Sequence, residues 1–342
     1  MEKGTEKNIF QSLEKEIDRR HFLKVMAAAG LLTFVGSGQA KAFSSNAKGK
    51  IVIIGGGAAG ISMGARLGKW LDDPDITLID PSDRQFYQPG FTLIASGVYQ
   101  PDVVWKKQSD CMPDCLKWIK DSVTAIDPVS QTVSTARTGS IKYDFLVLTP
   151  GLQLDWTQVE GITQATLGQG NANCIYDFEG AQKTWKALQE FSKTGGRGVF
   201  TDTFTKHKCG GAPKKICLLT EHYNRKQGTR DKVTLDYFTA EKALYDVPFY
   251  TPRLEQIFKE RHVPVHTNVR LKGVDTAAKK VHFEQITYKG EEMISTPFVE
   301  DYDFLHFTPP MSAPDFVKQS GLSWTEGKLA TGGWVMVNKE TL

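Results

Sequence analysis

Four β-branched apolar residues follow Lys50, and the run Lys50–Ile54 predicts a strand buried on both faces. It leads into Gly55-Gly56-Gly57-Ala58-Ala59-Gly60. Apolar positions then recur at helical spacing over residues 61–71, and a second apolar strand over 75–79 closes on Asp80. Further on, Tyr143-Asp144 heads an apolar strand that ends at Thr149-Pro150-Gly151. Beyond it the pattern predicts helices over 180–191 and 252–261, with strands over 197–201, 232–238, 263–267, 269–274, 279–284 and 303–308. Strands alternating with helices indicate an α/β chain with parallel sheets. At 342 residues it exceeds one ordinary hydrophobic core, so two domains are expected.

The glycine turn carries the first chemistry. A strand, a glycine-rich turn, a helix and a second strand ending on an acid make up a dinucleotide-binding βαβ unit. Gly55 suits the tight turn, Gly57 lets the backbone approach a pyrophosphate, and Gly60 lets the helix pack closely on the strand. Ala58 and Ala59 lie where a helix start presents N–H groups to phosphate, and Asp80 is placed to accept from ribose hydroxyls. The turn by itself does not separate NAD from FAD.

Composition narrows the picture. With 40% hydrophobic and 24% charged residues the chain is globular, and a net charge of +3 without a basic stripe argues against a nucleic-acid partner. Five cysteines, few and odd in number, read as individual chemical groups. Cys111 and Cys115 are separated by three residues, yet no second ligand pair with zinc spacing follows, so no metal site is expected. They read as surface thiols or a local disulfide, and Cys217 reads as core. Near the start, Asp18-Arg19-Arg20-His21-Phe22-Leu23-Lys24 precedes an apolar run over 25–35, and Ala40-Lys41-Ala42 offers a cleavage site. Residues 1–42 therefore read as a twin-arginine export signal whose apolar run is too short to span a bilayer, and the expected location is periplasmic.

After the strand at 197–201 a second glycine turn would mark a nicotinamide site. The chain has Lys208-Cys209-Gly210-Gly211-Ala212-Pro213 there, so nicotinamide binding is not expected. Cys209 precedes a helix start, with Pro213 near its first position and Lys208, Lys214 and Lys215 beside it, a setting in which dipole and cations favour a thiolate. Other segments in order are Tyr87-Gln88-Pro89-Gly90-Phe91-Thr92-Leu93, Lys183-Thr184-Trp185-Lys186-Ala187-Leu188, Glu221-His222-Tyr223-Asn224-Arg225-Lys226 and Thr308-Pro309-Pro310-Met311-Ser312-Ala313-Pro314-Asp315. Together with the cysteine loop they resemble the sulfide:quinone oxidoreductases, within the FAD-dependent pyridine nucleotide-disulfide oxidoreductase superfamily, from about residue 50 to the end.

That resemblance implies two Rossmann-like dinucleotide-binding domains. An FAD domain over 48–165 is interrupted by a middle domain resembling an NAD domain, over 166–300, and resumes over 301–342. It implies FAD, sulfide as substrate, and transfer of electrons to a quinone with peripheral membrane association. A related reading passes them to cytochrome c, as in flavocytochrome c sulfide dehydrogenases, and another is a non-enzymatic FAD-binding or sulfur-carrying protein. In the implied mechanism hydrosulfide attacks a cysteine disulfide near the flavin, and Cys209 matches the first cysteine of the pair. Cys174 stands where some sulfide-oxidising members carry a third cysteine, although a passive buried thiol reads equally well. The implied catalytic set is Cys209, Cys174 and Lys215, and the cofactor set is Gly55, Gly57, Ala58, Ala59, Gly60, Asp80 and Gly151. His207 reads as a solvated loop residue or a proton relay. The last residues, 335–342, stop just before the family's Gly-Asp segment, so the C-terminal part of the FAD domain and the partner cysteine are expected to be missing.

The export reading has a direct test. Replacing both Arg19 and Arg20 by lysine is expected to leave uncut precursor in the cytoplasm, while the unaltered chain is exported and cut near Ala42. Fractionation followed by N-terminal sequencing decides it, and equal export of the two forms removes the twin-arginine assignment.

Overall fold

The computed structural model describes residues 45–340. The export signal lies outside the described residues. Ser45–Ala47 and Lys69–Asp72 form a small unit of their own, in which Ser45 bridges Leu71 and its N–H donates to the Trp70 carbonyl at 2.8 Å. Residues 48–68 and 73–340 belong to a second, much larger unit.

β1 (Lys50–Ile54) runs through the glycine turn into α1 (Ala58–Trp70), and the chain continues to β2 (Asp75–Ile79). The helix begins three residues earlier than its apolar pattern suggests, because Ala58 and Ala59 already take helical geometry while contributing no apolar stripe. β3 (Arg84–Phe86), α2 (Phe91–Ala95), β4 (Trp105–Lys107) and β5 (Lys117–Ile119) follow. Next come β6 (Val123–Asp127), β7 (Thr132–Thr135), β8 (Ser140–Lys142) and β9 (Phe145–Leu148). The first sheet has the order β5-β2-β1-β9, parallel throughout, so the turn after β1 opens at the carboxyl ends of the strands, beside the end of β9. This is where open parallel sheets bind ligands. A three-stranded antiparallel sheet, β6-β7-β8, contributes Ile126 and Val133 to a core shared with Val52, Ile54 and Ile79.

The second sheet is built from β11 (Ala172–Asn173), β12 (Gly196–Thr201), β13 (Val233–Phe238) and β14 (Val265–His266), after a short β10 (Gln153–Leu154). They are joined by α3 (Phe178–Thr194), α4 (Ala212–Gln227) and α5 (Thr251–Glu260). Three antiparallel strands follow: β15 (Val269–Asp275), β16 (Lys280–Lys289) and β17 (Glu292–Asp301). β18 (Phe304–His306) then enters the middle of the second sheet, whose order is β11-β18-β12-β13-β14 and whose pairings are all parallel.

Two differences from the sequence reading have physical causes. The segment at 303–308 was expected to return to the first domain, yet β18 pairs with β11 and β12, and the return comes only with the residues that follow. β19 (Met311–Ser312) pairs with β10, while Phe316, at α6 (Asp315–Lys318), and Leu322 pack on the first sheet's core. An apolar strand is attractive to either sheet, and only the neighbour's register decides. β16 also runs five residues beyond its expected end, and β17 was not foreseen, because most of its residues face solvent and carry no buried alternation.

His306, in the middle of the second sheet, is wholly buried, stacks 6.3 Å from the Phe200 ring, and has no partner for either ring nitrogen. Burial pushes its pKa down to about 3, so the folded protein holds it neutral. An unfolded histidine titrates near 6.5. Its contribution to stability is therefore fully present above that pH and is lost as pH falls from about 6.5 toward 3, at up to about 1.4 kcal/mol per pH unit. In urea titrations at pH 7, 6 and 5, His306→Phe is expected to lose stability less steeply than the unaltered protein by close to one proton's worth. Parallel slopes for the two proteins contradict a neutral buried histidine.

Candidate functional site

The glycine turn is shaped by backbone contacts. Gly55 has φ +97, a left-handed conformation that favours glycine, and a Cβ on Gly60 would stand 1.9 Å from the Gly55 carbonyl oxygen. Gly57 differs: a Cβ there would meet nothing within 4 Å, and Gly57, Ala58 and Ala59 are all exposed. The turn thus presents an open backbone surface at a helix start, a cradle that an anion fits and a side chain would fill. Asp80 accepts from Gly56 N at 2.7 Å through one carboxylate oxygen and from Ser82 N at 2.8 Å through the other, which leaves lone pairs on both. Gly151 is exposed, with φ +74 and open space around it, near Thr149, whose hydroxyl donates to the carbonyls of Ile54 at 2.9 Å and Gly55 at 3.1 Å. The structure therefore brings together the glycine turn, Asp80 and the end of β9. These residues can hold the ADP half of a dinucleotide.

Three contributors escaped the sequence reading. Gly56 is packed as well: a Cβ on it would lie 2.4 Å from Gln108 Nε2 and 2.9 Å from Asp80 Cβ. Gln108, almost wholly buried, donates to the Gly56 carbonyl at 2.7 Å, and Thr149 ties the turn to β9. Gly56 was visible as part of the glycine run; Gln108, 52 residues further along, carries no local signal.

The cysteine loop occupies the equivalent position in the second sheet, between β12 and α4. Cys209 is exposed and takes φ +54, a strained conformation for a residue with a side chain, of order 1–3 kcal/mol. Its carbonyl accepts from Ala212 N at 2.8 Å, closing the turn into the helix, and from the Tyr176 hydroxyl at 3.3 Å. Lys215 Nζ lies 3.6 Å from the Cys209 sulfur. Lys208 donates to Gln88 Oε1 and sits 5.9 Å from the Tyr176 ring centroid; burial lowers its pKa, and the Cys174 and Cys209 sulfurs oppose that shift. Gln88 belongs to the Tyr87-Gln88-Pro89-Gly90 segment, so two stretches over 100 residues apart meet at this thiol.

Lys214 does not join the cations around Cys209 as expected. It is buried and directed away, with Nζ 2.8 Å from a carboxylate oxygen of buried Asp202. Asp202 also accepts from Tyr237 Oη at 3.2 Å, Thr239 Oγ1 at 2.7 Å and Ala240 N at 3.0 Å. His207 is likewise not solvated: Nδ1 lies 3.1 Å from the Thr205 carbonyl, Nε2 is buried without a partner, and burial lowers its pKa. Cys174 is completely buried, its sulfur 3.4 Å from Tyr176 N, and burial pushes its thiol up to about 12. Cys217 is core, and its thiol is raised well above the ordinary range by the same cause. Cys111 and Cys115 are half-buried free thiols.

Comparison with known proteins bears on this geometry. Residues 49–189 match the family described as pyridine nucleotide-disulphide oxidoreductase. The chain is 34% identical over 293 residues to the mitochondrial sulfide:quinone oxidoreductase of Mus musculus and 36% identical over 297 residues to that of Dictyostelium discoideum. Each match covers 86% of this chain and 62% of the relative. Over this span the chain is similar in sequence to these sulfide:quinone oxidoreductases. It also superimposes on the crystal structure of the sulfide:quinone oxidoreductase from Aquifex aeolicus with a TM-score of 0.69 at 26% identity, over 85% of this chain and 65% of the other. The chain thus spans less than two thirds of the length of the relatives it matches.

The burial pattern sets an order of thiol reactivity. In native protein at pH 8, iodoacetamide is expected to label Cys209 first, Cys111 and Cys115 more slowly, and Cys174 and Cys217 only after unfolding. Peptide mass spectrometry over a time course reads this. Early labelling of Cys174 means that its pocket opens in solution.

Proposed function

We propose that the chain is the FAD-holding and sulfide-reactive part of a sulfide:quinone oxidoreductase: an oxidoreductase that takes two electrons from sulfide at Cys209 and passes them to a quinone. The observation that carries this reading is the exposed Cys209 sulfur at the start of α4, 3.6 Å from Lys215 Nζ, in the place where a nicotinamide-binding domain would have its glycine turn. The sequence similarity to sulfide:quinone oxidoreductases supports it.

FAD suits the first sheet. Gly55, Gly57, Ala58, Ala59 and Gly60 would hold the pyrophosphate, with Asp80 at the ribose and Gly151, after β9, beside them; the open backbone at Gly57 is the fit. Bound there, FAD would supply a two-electron acceptor. The protein's own part is sulfur chemistry. Hydrosulfide attacks a disulfide made by Cys209 and a second thiol: one S–S bond forms, the original S–S bond breaks, and one partner leaves as thiolate while the other carries the persulfide. Lys215 is placed to pair with a thiolate on Cys209, and Lys208 adds a second positive charge near it. Tyr176, bonded to the Cys209 carbonyl and touching Cys174, holds the loop. Cys174 joins the sulfur path only if its pocket opens. The domain division proposed is an FAD domain over 48–165, a middle domain over 166–300 and the resumed FAD domain over 301–342, shifted by β18 as described above.

Export by the twin-arginine signal would place this chemistry in the periplasm. Among the described residues no helix is long and apolar enough to cross a membrane.

The decisive experiment is anaerobic stopped-flow absorbance with sulfide on an intact form of the enzyme that carries the partner cysteine and the Gly-Asp segment, reconstituted with FAD; the 342-residue chain without them is expected to bleach slowly even unaltered. Cys209→Ser is expected to retain FAD and to lose sulfide-dependent flavin bleaching by about 100-fold or more, whereas Gly57→Val is expected to fold without flavin. Bleaching of Cys209→Ser at the unaltered rate, or a chain that takes up no FAD, overturns the assignment.

A further inference from the structure

The helix-start N–H groups of the glycine turn are not all open. Gln85, in the middle of β3, reaches across the turn, and its neighbours assign the amide orientation. Its nitrogen donates to Gln108 Oε1 at 3.0 Å and to the Gly56 carbonyl at 3.1 Å, and its oxygen accepts from Ala58 N at 3.1 Å. Ala58 is the first residue of α1. Its N–H has no acceptor within the helix and is among the donors that an anion at a helix start uses.

A neutral amide oxygen therefore occupies a donor that a pyrophosphate needs, on a turn otherwise exposed at Gly57, Ala58 and Ala59. β3 is held over the turn by its pairing with β4, Gln85 opposite Lys106, and Gln108 directly follows that strand. The placement is thus built by the hairpin.

We propose that Gln85 is a further cofactor-site residue: its amide oxygen takes the Ala58 N–H that a phosphate oxygen would use and is displaced when the pyrophosphate of a dinucleotide binds. This rests on the dinucleotide reading of the turn. One well-aligned N–H serves one acceptor strongly, so Gln85 and a phosphate oxygen compete for Ala58. The exchange runs toward the ligand because an anionic acceptor bonds about twice as strongly as a neutral one. The amide ties the turn to β3, at the cost of some affinity.

Two substitutions with opposite signs test this. In the full chain freed of flavin, FAD binding is followed by fluorescence quenching, with circular dichroism as a check on folding. Gln85→Ala removes the competitor and is expected to tighten FAD binding by roughly threefold to tenfold, the worth of one neutral hydrogen bond. Gln85→Glu keeps the shape but sets a carboxylate against Ala58 N and the incoming phosphates, and is expected to weaken binding by about tenfold or more. Weaker binding by Gln85→Ala, or both variants within twofold of the unaltered chain, overturns the proposal and leaves the FAD reading standing. FAD binding by none of the three proteins overturns both.

Discussion

Gly60 lies so close to the Gly55 carbonyl that a Cβ would stand 1.9 Å from its oxygen, and much of the first domain depends on that approach. It joins the start of α1 directly to the end of β1, and β1 is central in the parallel sheet, flanked by β2 and β9. The free N–H groups of the helix therefore fall at the carboxyl edge of the sheet, where Asp80 ends β2 and Gly151 follows β9. Thr149 reinforces the junction by bonding both Ile54 and Gly55 carbonyls. Backbone meets backbone at this point, so no side-chain rearrangement can relieve an added methyl group.

The cysteine loop rests on a different constraint, a buried charge. Asp202 at the end of β12 and Lys214 in the first turn of α4 form an ion pair largely removed from water. Desolvating both charges is costly, and the pair is sustained because Tyr237, Thr239 and Ala240 all donate to the same carboxylate. With Lys214 held inward, the loop between the two residues is pinned at both ends and Cys209 is left outside, facing Lys215. One loop thus holds a structural lysine and a lysine that meets the thiol, adjacent in sequence and opposite in direction.

The two sheets are built on the same plan, a strand, a turn and a helix, and use the turn differently. In the first the turn exposes backbone at Gly57 and Ala59, with the Gln85 amide laid across Ala58 N; in the second it is closed by side chains and exposes one sulfur. Segments far apart in the chain link the two halves. Gln88, from the region after β3, touches Lys208 beside Cys209, and Trp185 of α3 packs on Gly97, where a Cβ would lie 2.3 Å from its ring. Phe91, Ile94 and Val104 share a single core cluster with the second sheet. The position of the thiol relative to the glycine turn is therefore set by packing.

The amino-acid order alone determined the local chemistry: an apolar β-branched run into glycines and on to an acid has few other uses, and a cysteine ahead of a helix among lysines is legible because charge and helix start are both local. Legible too was the alternation that gives parallel sheets. Whatever depends on a distant partner was decided by tertiary structure. The direction of Lys214 follows from Asp202, the burial of Cys174 and His207 from the walls around them, and the membership of β18 from which strand edge lay open to it. Gln85 and Gln108 carry no motif, and only the β3–β4 hairpin lays their amides across the glycine turn. Sequence periodicity reports which residues seek burial or a charge partner, while the identity of the partner is a matter of three-dimensional register.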